Sequence, residues 1–102
     1  MAHRRRARHP AHPLFLKLKL AFQRGDLDSA GELIQQVRAG LQLLSHRDQI
    51  RFEVLSEILA IRTGDRSAAA RLKQFAERVQ AENAPDLAAE VWRMVAENAL
   101  GS

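Results

Sequence analysis

From residue 14 onward, apolar side chains recur mostly at helical spacing, and the pattern divides the chain into five segments separated by short turns. The segment 29–43 places Ala30, Leu33, Ile34, Val37 and Leu41 on one face, continued by Leu44, with Glu32, Gln35, Gln36, Arg38 and Gln42 mostly off it. Segment 46–63 is apolar on two sides, through Ile50, Val54, Ile58 and Ile61 and through Phe52, Leu55 and Leu59. Segment 67–82 is one-sided again, through Ala68, Leu72, Phe75, Ala76 and Val79. Segment 85–99 has a broad arc of Leu87, Ala88, Val91, Trp92, Met94, Val95 and Ala96. The first segment, 14–24, is ambiguous, because Leu14, Leu16, Leu18, Leu20 and Phe22 alternate as in a strand. Leu, Lys, Ala and Gln favour a helix and β-branched residues are absent, so a helix is predicted. Its main face is Leu14, Phe15, Leu18, Ala21 and Phe22. Leu16 and Leu20 form a second stripe, either covered by a neighbouring helix or exposed as a dimer contact.

The punctuation agrees with this division. Gly25-Asp26 and Gly64-Asp65 read as helix stops followed by turns, with Asp28 and Ser67 as expected N-caps of the second and fourth helices. Ser45-His46-Arg47-Asp48 reads as a capping box for the third, and Pro85 suits the first turn of the fifth. The odd helices are thus two-sided and the even ones one-sided. In a stacked array an inner helix packs against its own partner and the next unit, whereas an outer helix needs one apolar face.

Superposing Gly25-Asp26 on Gly64-Asp65 brings Leu20 onto Leu59, Ala21 onto Ala60, Phe22 onto Ile61, Ala30 onto Ala69 and Leu33 onto Leu72. Each turn is followed, four residues after its Asp, by a small Ala. In these residues the chain resembles a tetratricopeptide-type repeat, over roughly 14–100. The resemblance implies an all-α fold of about five antiparallel helices, as two stacked hairpins and a C-terminal helix, with inner helices lining a groove. An unrelated helix bundle is the alternative. About three repeats are commonly needed for a free-standing array, so either self-association completes the core or the chain belongs to a longer one.

Composition modifies the picture at the N-terminus. Of 102 residues, 1–24 hold seven basic side chains and no acid, while 25–102 hold nine basic and twelve acidic groups. The expectation is a flexible basic arm over 1–13, with Arg4, Arg5, Arg6 and Arg8 available to an anionic partner, and a single mildly acidic helical domain over 14–102. There is no Cys, hence no disulfide framework, thiolate site or cysteine nucleophile. No run approaches the ~20 apolar residues of a membrane span. The thirteen Arg against three Lys associate the chain with a GC-rich, bacterial genome, and the expected compartment is the cytoplasm.

Chemistry-bearing motifs are scarce. The chain lacks a Gly-rich phosphate loop, an HExxH pattern and a Ser/His/Asp arrangement. His3, His9 and His12 fall in the arm and His46 at a helix start, which does not make a fixed ligand set. The expectation is no enzyme, no cofactor and no metal. Arg51 and Arg62 interrupt an apolar arc, and such groups need partners if buried. They either pair with acids such as Glu32, Glu53 or Glu57, or face a groove. On the groove reading, Phe15, Lys19, Gln23, Arg51, Ile58 and Arg62 contact a partner peptide, with Trp92 as an interface anchor or a core-edge residue. The functional expectation is a protein-interaction module. Nucleic-acid binding through the arm, with the helical body as a dimerisation platform, is the alternative.

Overall fold

The computed structural model describes residues 11–82 and 84–100, without the side chains of Ala99 and Leu100. Among these residues it contains five α-helices and no strand: α1 (Ala11–Arg24), α2 (Leu27–Ala39), α3 (His46–Arg62), α4 (Ala68–Ala81) and α5 (Pro85–Val95). A 3₁₀ turn, Leu41–Leu43, follows α2, and a π-helical segment, Ala96–Leu100, follows α5. The all-α expectation holds, and the architecture is compatible with a helical repeat. None of these helices is long and apolar enough to cross a membrane.

The helices fall into two compact units, one ending at Gln49 and one beginning at Ile50. The division falls inside α3, whose first turn belongs to the first unit. There Ser45 Oγ accepts the Asp48 N–H at 3.1 Å, the N-cap bond predicted from the sequence.

In the first unit α1 packs on α2. The buried residues of α1 are Ala11, Phe15, Leu18 and Ala21, one stripe at spacings of three and four, and those of α2 are Ala30, Ile34 and Val37. Helical periodicity therefore wins over the strand-like alternation of the Leu residues. The helix also starts three residues before the predicted boundary, because Ala11 is small enough to bury as the first member of the stripe. Pro13 lies in the first turn, where its missing N–H costs no hydrogen bond.

The second unit buries Ile50, Phe52, Val54, Leu55 and Ile58 of α3, Leu72 and Val79 with Ala68 and Ala76 of α4, and Leu87, Ala88, Val91 and Val95 of α5. Alpha-helix α4 packs on α5. The two-sided burial predicted for α3 is present, although Leu59 is only half-buried. It is absent from α1, where Leu16 and Leu20 are exposed, and it is narrowed in α5, where Trp92 and Met94 are half-buried and Ala96 is exposed. The alternation of two-sided and one-sided helices thus survives in the middle of the chain and fails at both ends.

The two Gly-Asp turns share one hydrogen-bond pattern. Gly25 N–H donates to Phe22 O (3.1 Å) and Asp26 N–H to Ala21 O (2.9 Å); Gly64 N–H donates to Ile61 O (3.2 Å) and Asp65 N–H to Ala60 O (2.9 Å). Both are Schellman closures, with the glycine at φ +74° in the first and +102° in the second. The caps that follow differ from those predicted. It is Asp26, not Asp28, that caps α2, accepting the Ser29 N–H at 3.2 Å. Ser67 makes no side-chain cap to α4; its hydroxyl and its N–H both donate to Asp65 Oδ1 at 3.0 Å. In each case the aspartate that follows the Schellman glycine takes the bonds: Asp26 from the first turn of α2, and Asp65 from the residue just before α4.

Candidate functional site

The residues expected to line a groove lie in different environments and in both units. Arg51 is on α3 and is about 30% exposed. Its Nε and Nη2 donate to the two carboxylate oxygens of Glu90 on α5, at 3.0 and 3.2 Å. This forked geometry is the one expected for carboxylate recognition, but the carboxylate is the chain's own. Glu90 is not among the acids that the sequence singles out, Glu32, Glu53 and Glu57. Arg62, exposed at the end of α3, donates from Nη2 to Asn98 Oδ1 at 3.0 Å, and Asn98 Nδ2 donates to Met94 O at 2.9 Å. The two arginines that interrupt the apolar arc of α3 therefore join it to α5 and to the π-helical segment.

Ile58 is 2% exposed and Phe15 is 2% exposed, so both are core residues that offer no surface to a peptide. The reason is their register: Ile58 continues the Ile50–Val54 stripe, and Phe15 continues the stripe begun by Ala11. Lys19 lies one turn beyond Phe15, with Nζ 5.0 Å from the ring centroid. Gln23 is exposed near the end of the same helix. Trp92 is half-buried, and its Nε1–H donates to Gln80 Oε1 at 2.9 Å, linking α5 to α4. It borders a depression of about 340 Å³ with Gln80, Pro85 and Ala88, which makes it a core-edge residue with one face still open. Arg4, Arg5, Arg6 and Arg8 lie outside the described residues.

The sequence singled out Leu16 and Leu20 without choosing between cover and exposure. The structure exposes them, at 56% and 47%, one turn apart on the side of α1 away from the buried stripe. Leu43, in the 3₁₀ turn, is 48% exposed. A second α1–α2 feature, a groove of about 330 Å³, runs from Lys17 past Leu20 to Asp26.

The charged turns are engaged by their own neighbours. The Ser29 hydrogen bonds, side-chain first and backbone second, hold the Asp26 carboxyl below its ordinary range. At the second turn Arg71 is the largest influence. Its Nη2 reaches Asp65 Oδ2 at 2.9 Å and Glu57 Oε1 at 3.0 Å, lowering the Asp65 carboxyl and raising the Arg71 guanidinium. Asp65 and Arg71 are well exposed, so these pairs position the turn more than they stabilise it. Among the described residues no group of three or more His, Cys, Asp or Glu is placed to hold a metal ion. No family model, curated protein or solved structure matches the chain.

Proposed function

We propose that the chain is a non-catalytic, cytoplasmic protein-interaction module, an adaptor or regulatory subunit that holds a helix or peptide of a partner. Its contact surface on this reading is the outer stripe of α1 rather than the inner-helix groove of Phe15, Lys19, Gln23, Arg51, Ile58 and Arg62 expected from the sequence. One observation carries it: Leu16 and Leu20 stand in water one turn apart, on a helix whose opposite face is already buried. Each leucine keeps about half of its surface in water, so that covering it would contribute roughly 1 kcal/mol, and helix-in-groove recognition uses apolar anchors at this spacing. A tetratricopeptide-like array is the fold reading that accompanies it, supported by the equal hydrogen bonding of the two Gly-Asp turns.

Affinity capture with three forms of the full chain tests the proposal: the unaltered protein, Leu16→Ser with Leu20→Ser, and Arg4, Arg5, Arg6 and Arg8 all changed to Ala. The expected result is that captured protein partners disappear with the leucine variant and persist with the arginine one. The reverse pattern, with nucleic acid recovered from the unaltered protein, transfers the function to the basic arm.

A further inference from the structure

The charges along the α1–α2 groove describe the occupant it fits. Its apolar lining is Leu20 and the small, buried Ala21 of α1 with half-buried Leu33 of α2. Lys17 and Arg24 stand on the α1 side of this apolar strip, seven residues and hence roughly 10 Å apart along the helix. Across its fourteen residues α1 carries no acid. Asp26 closes one end, where it accepts the Ser29 N–H and offsets part of the neighbouring Arg24 charge. The net positive field is therefore strongest at the Lys17 end. An α1-to-α1 contact with a second copy would set these cations against each other. A polyphosphate backbone has no aliphatic group for the strip and would meet Asp26, and a membrane surface is too flat to enter a recess between two helices.

Resting on the interaction-module reading above, we infer that the groove takes an acidic amphipathic helix, with an aliphatic side chain against Leu20, Ala21 and Leu33, and a carboxylate against Lys17. The end of that helix facing Asp26 is uncharged. Burial of the aliphatic group supplies the affinity, and the ion pair sets orientation and excludes basic helices.

The test is fluorescence anisotropy of designed, labelled helical peptides of about 15 residues titrated with the full chain. One peptide has leucines at i and i+4 flanked by glutamates; in two others the glutamates are glutamines or lysines. The glutamate peptide should bind about tenfold more tightly than the glutamine peptide, the lysine peptide should not bind, and added salt should narrow the gap. Lys17→Glu should reverse the order, and Leu20→Ser should abolish binding of every peptide with helicity by circular dichroism unchanged. Equal binding of all three peptides, still lost with Leu20→Ser, overturns the acidic chemistry and leaves the module reading standing. Binding that ignores Leu20→Ser overturns both. No peptide binding, together with a sedimenting dimer that Leu20→Ser dissociates or DNA or anionic-vesicle binding that Lys17→Glu abolishes, overturns the inference in favour of a second copy or a polyanion.

Discussion

The two Gly-Asp turns close their first helices with the same two hydrogen bonds and then start their second helices differently. After Gly25, the Asp26 side chain caps at once and α2 begins at Leu27. After Gly64, Asp65 accepts from Ser67 and Arg71, and α4 begins only at Ala68. The 39-residue alignment pairs Ala30 with Ala69 and Leu33 with Leu72. The buried residues at the start of each helix are instead Ala30 and Ile34 in α2, and Ala68 and Leu72 in α4, a slip of one residue that has closed by Val37 and Ala76, which again differ by 39. A positive-φ glycine thus fixes how a helix ends, while the carboxylate beside it decides where the next one starts. Repeats can agree in the first and differ in the second.

The largest expected effect comes from the register itself. Leu72 is 0% exposed, and Leu72→Ala should cost about 2–5 kcal/mol in urea unfolding. A cost near that of a surface change would remove Leu72 from the core of α4 and with it the match of Ile34 to Leu72. The slip is sharpened by Ala68→Leu and Ala69→Leu. The first overpacks a residue with no exposed surface and should cost about 1–3 kcal/mol, whereas the half-buried Ala69 should accept the change at less than half that cost.

The shared part of the turns predicts equality. A Cβ added at Gly25 or at Gly64 meets no atom within 4 Å, so the penalty of alanine is conformational alone. Gly25→Ala and Gly64→Ala should each cost about 1–2 kcal/mol. Unequal thermal shifts within the separate unfolding of each variant would break the claim that the two closures are equivalent.

The unshared part predicts a pH-dependent difference. Both aspartates are held below their ordinary value of 3.8, Asp26 by Ser29 and Asp65 chiefly by Arg71. A carboxyl lowered on folding contributes its full stabilisation above its unfolded pKa and loses it as pH falls through the folded one. Asp26→Asn and Asp65→Asn should therefore lower the urea midpoint at neutral pH and leave it nearly unchanged well below pH 3.8. Added salt should shrink the Asp65 effect more than the Asp26 effect, since only the former depends mainly on an exposed ion pair. The smallest effect is expected at the outer stripe of α1. Leu16→Ser and Leu20→Ser should each change stability by about 0.5 kcal/mol, because roughly half of each side chain is already in water.

The helices, the glycine stops and the Ser45 cap were legible because each depends on residues within a turn or two of one another. The register slip was not, since Asp26, Asp28 and Ser67 are all good capping residues and only the turn geometry selects among them. The partner of Arg51 was not, because Glu90 lies 39 residues further along and is brought to α3 by tertiary packing. A repeat analogy points Phe15 and Ile58 toward a groove, but their own spacing places them on the buried stripes of α1 and α3. Leu16 and Leu20 stand out in the sequence as a second apolar stripe without a partner in the pattern, and the structure leaves about half of each exposed.

The indole of Trp92 gives this chain a built-in optical reporter. It is the only Trp, there is no Tyr, and its hydrogen bond to Gln80 ties its surroundings to α4 and α5. Its emission therefore follows the second unit alone, while far-ultraviolet circular dichroism sums the helices of both. Recorded on one sample, the offset between the two unfolding curves measures how far the units depend on each other, with no label added.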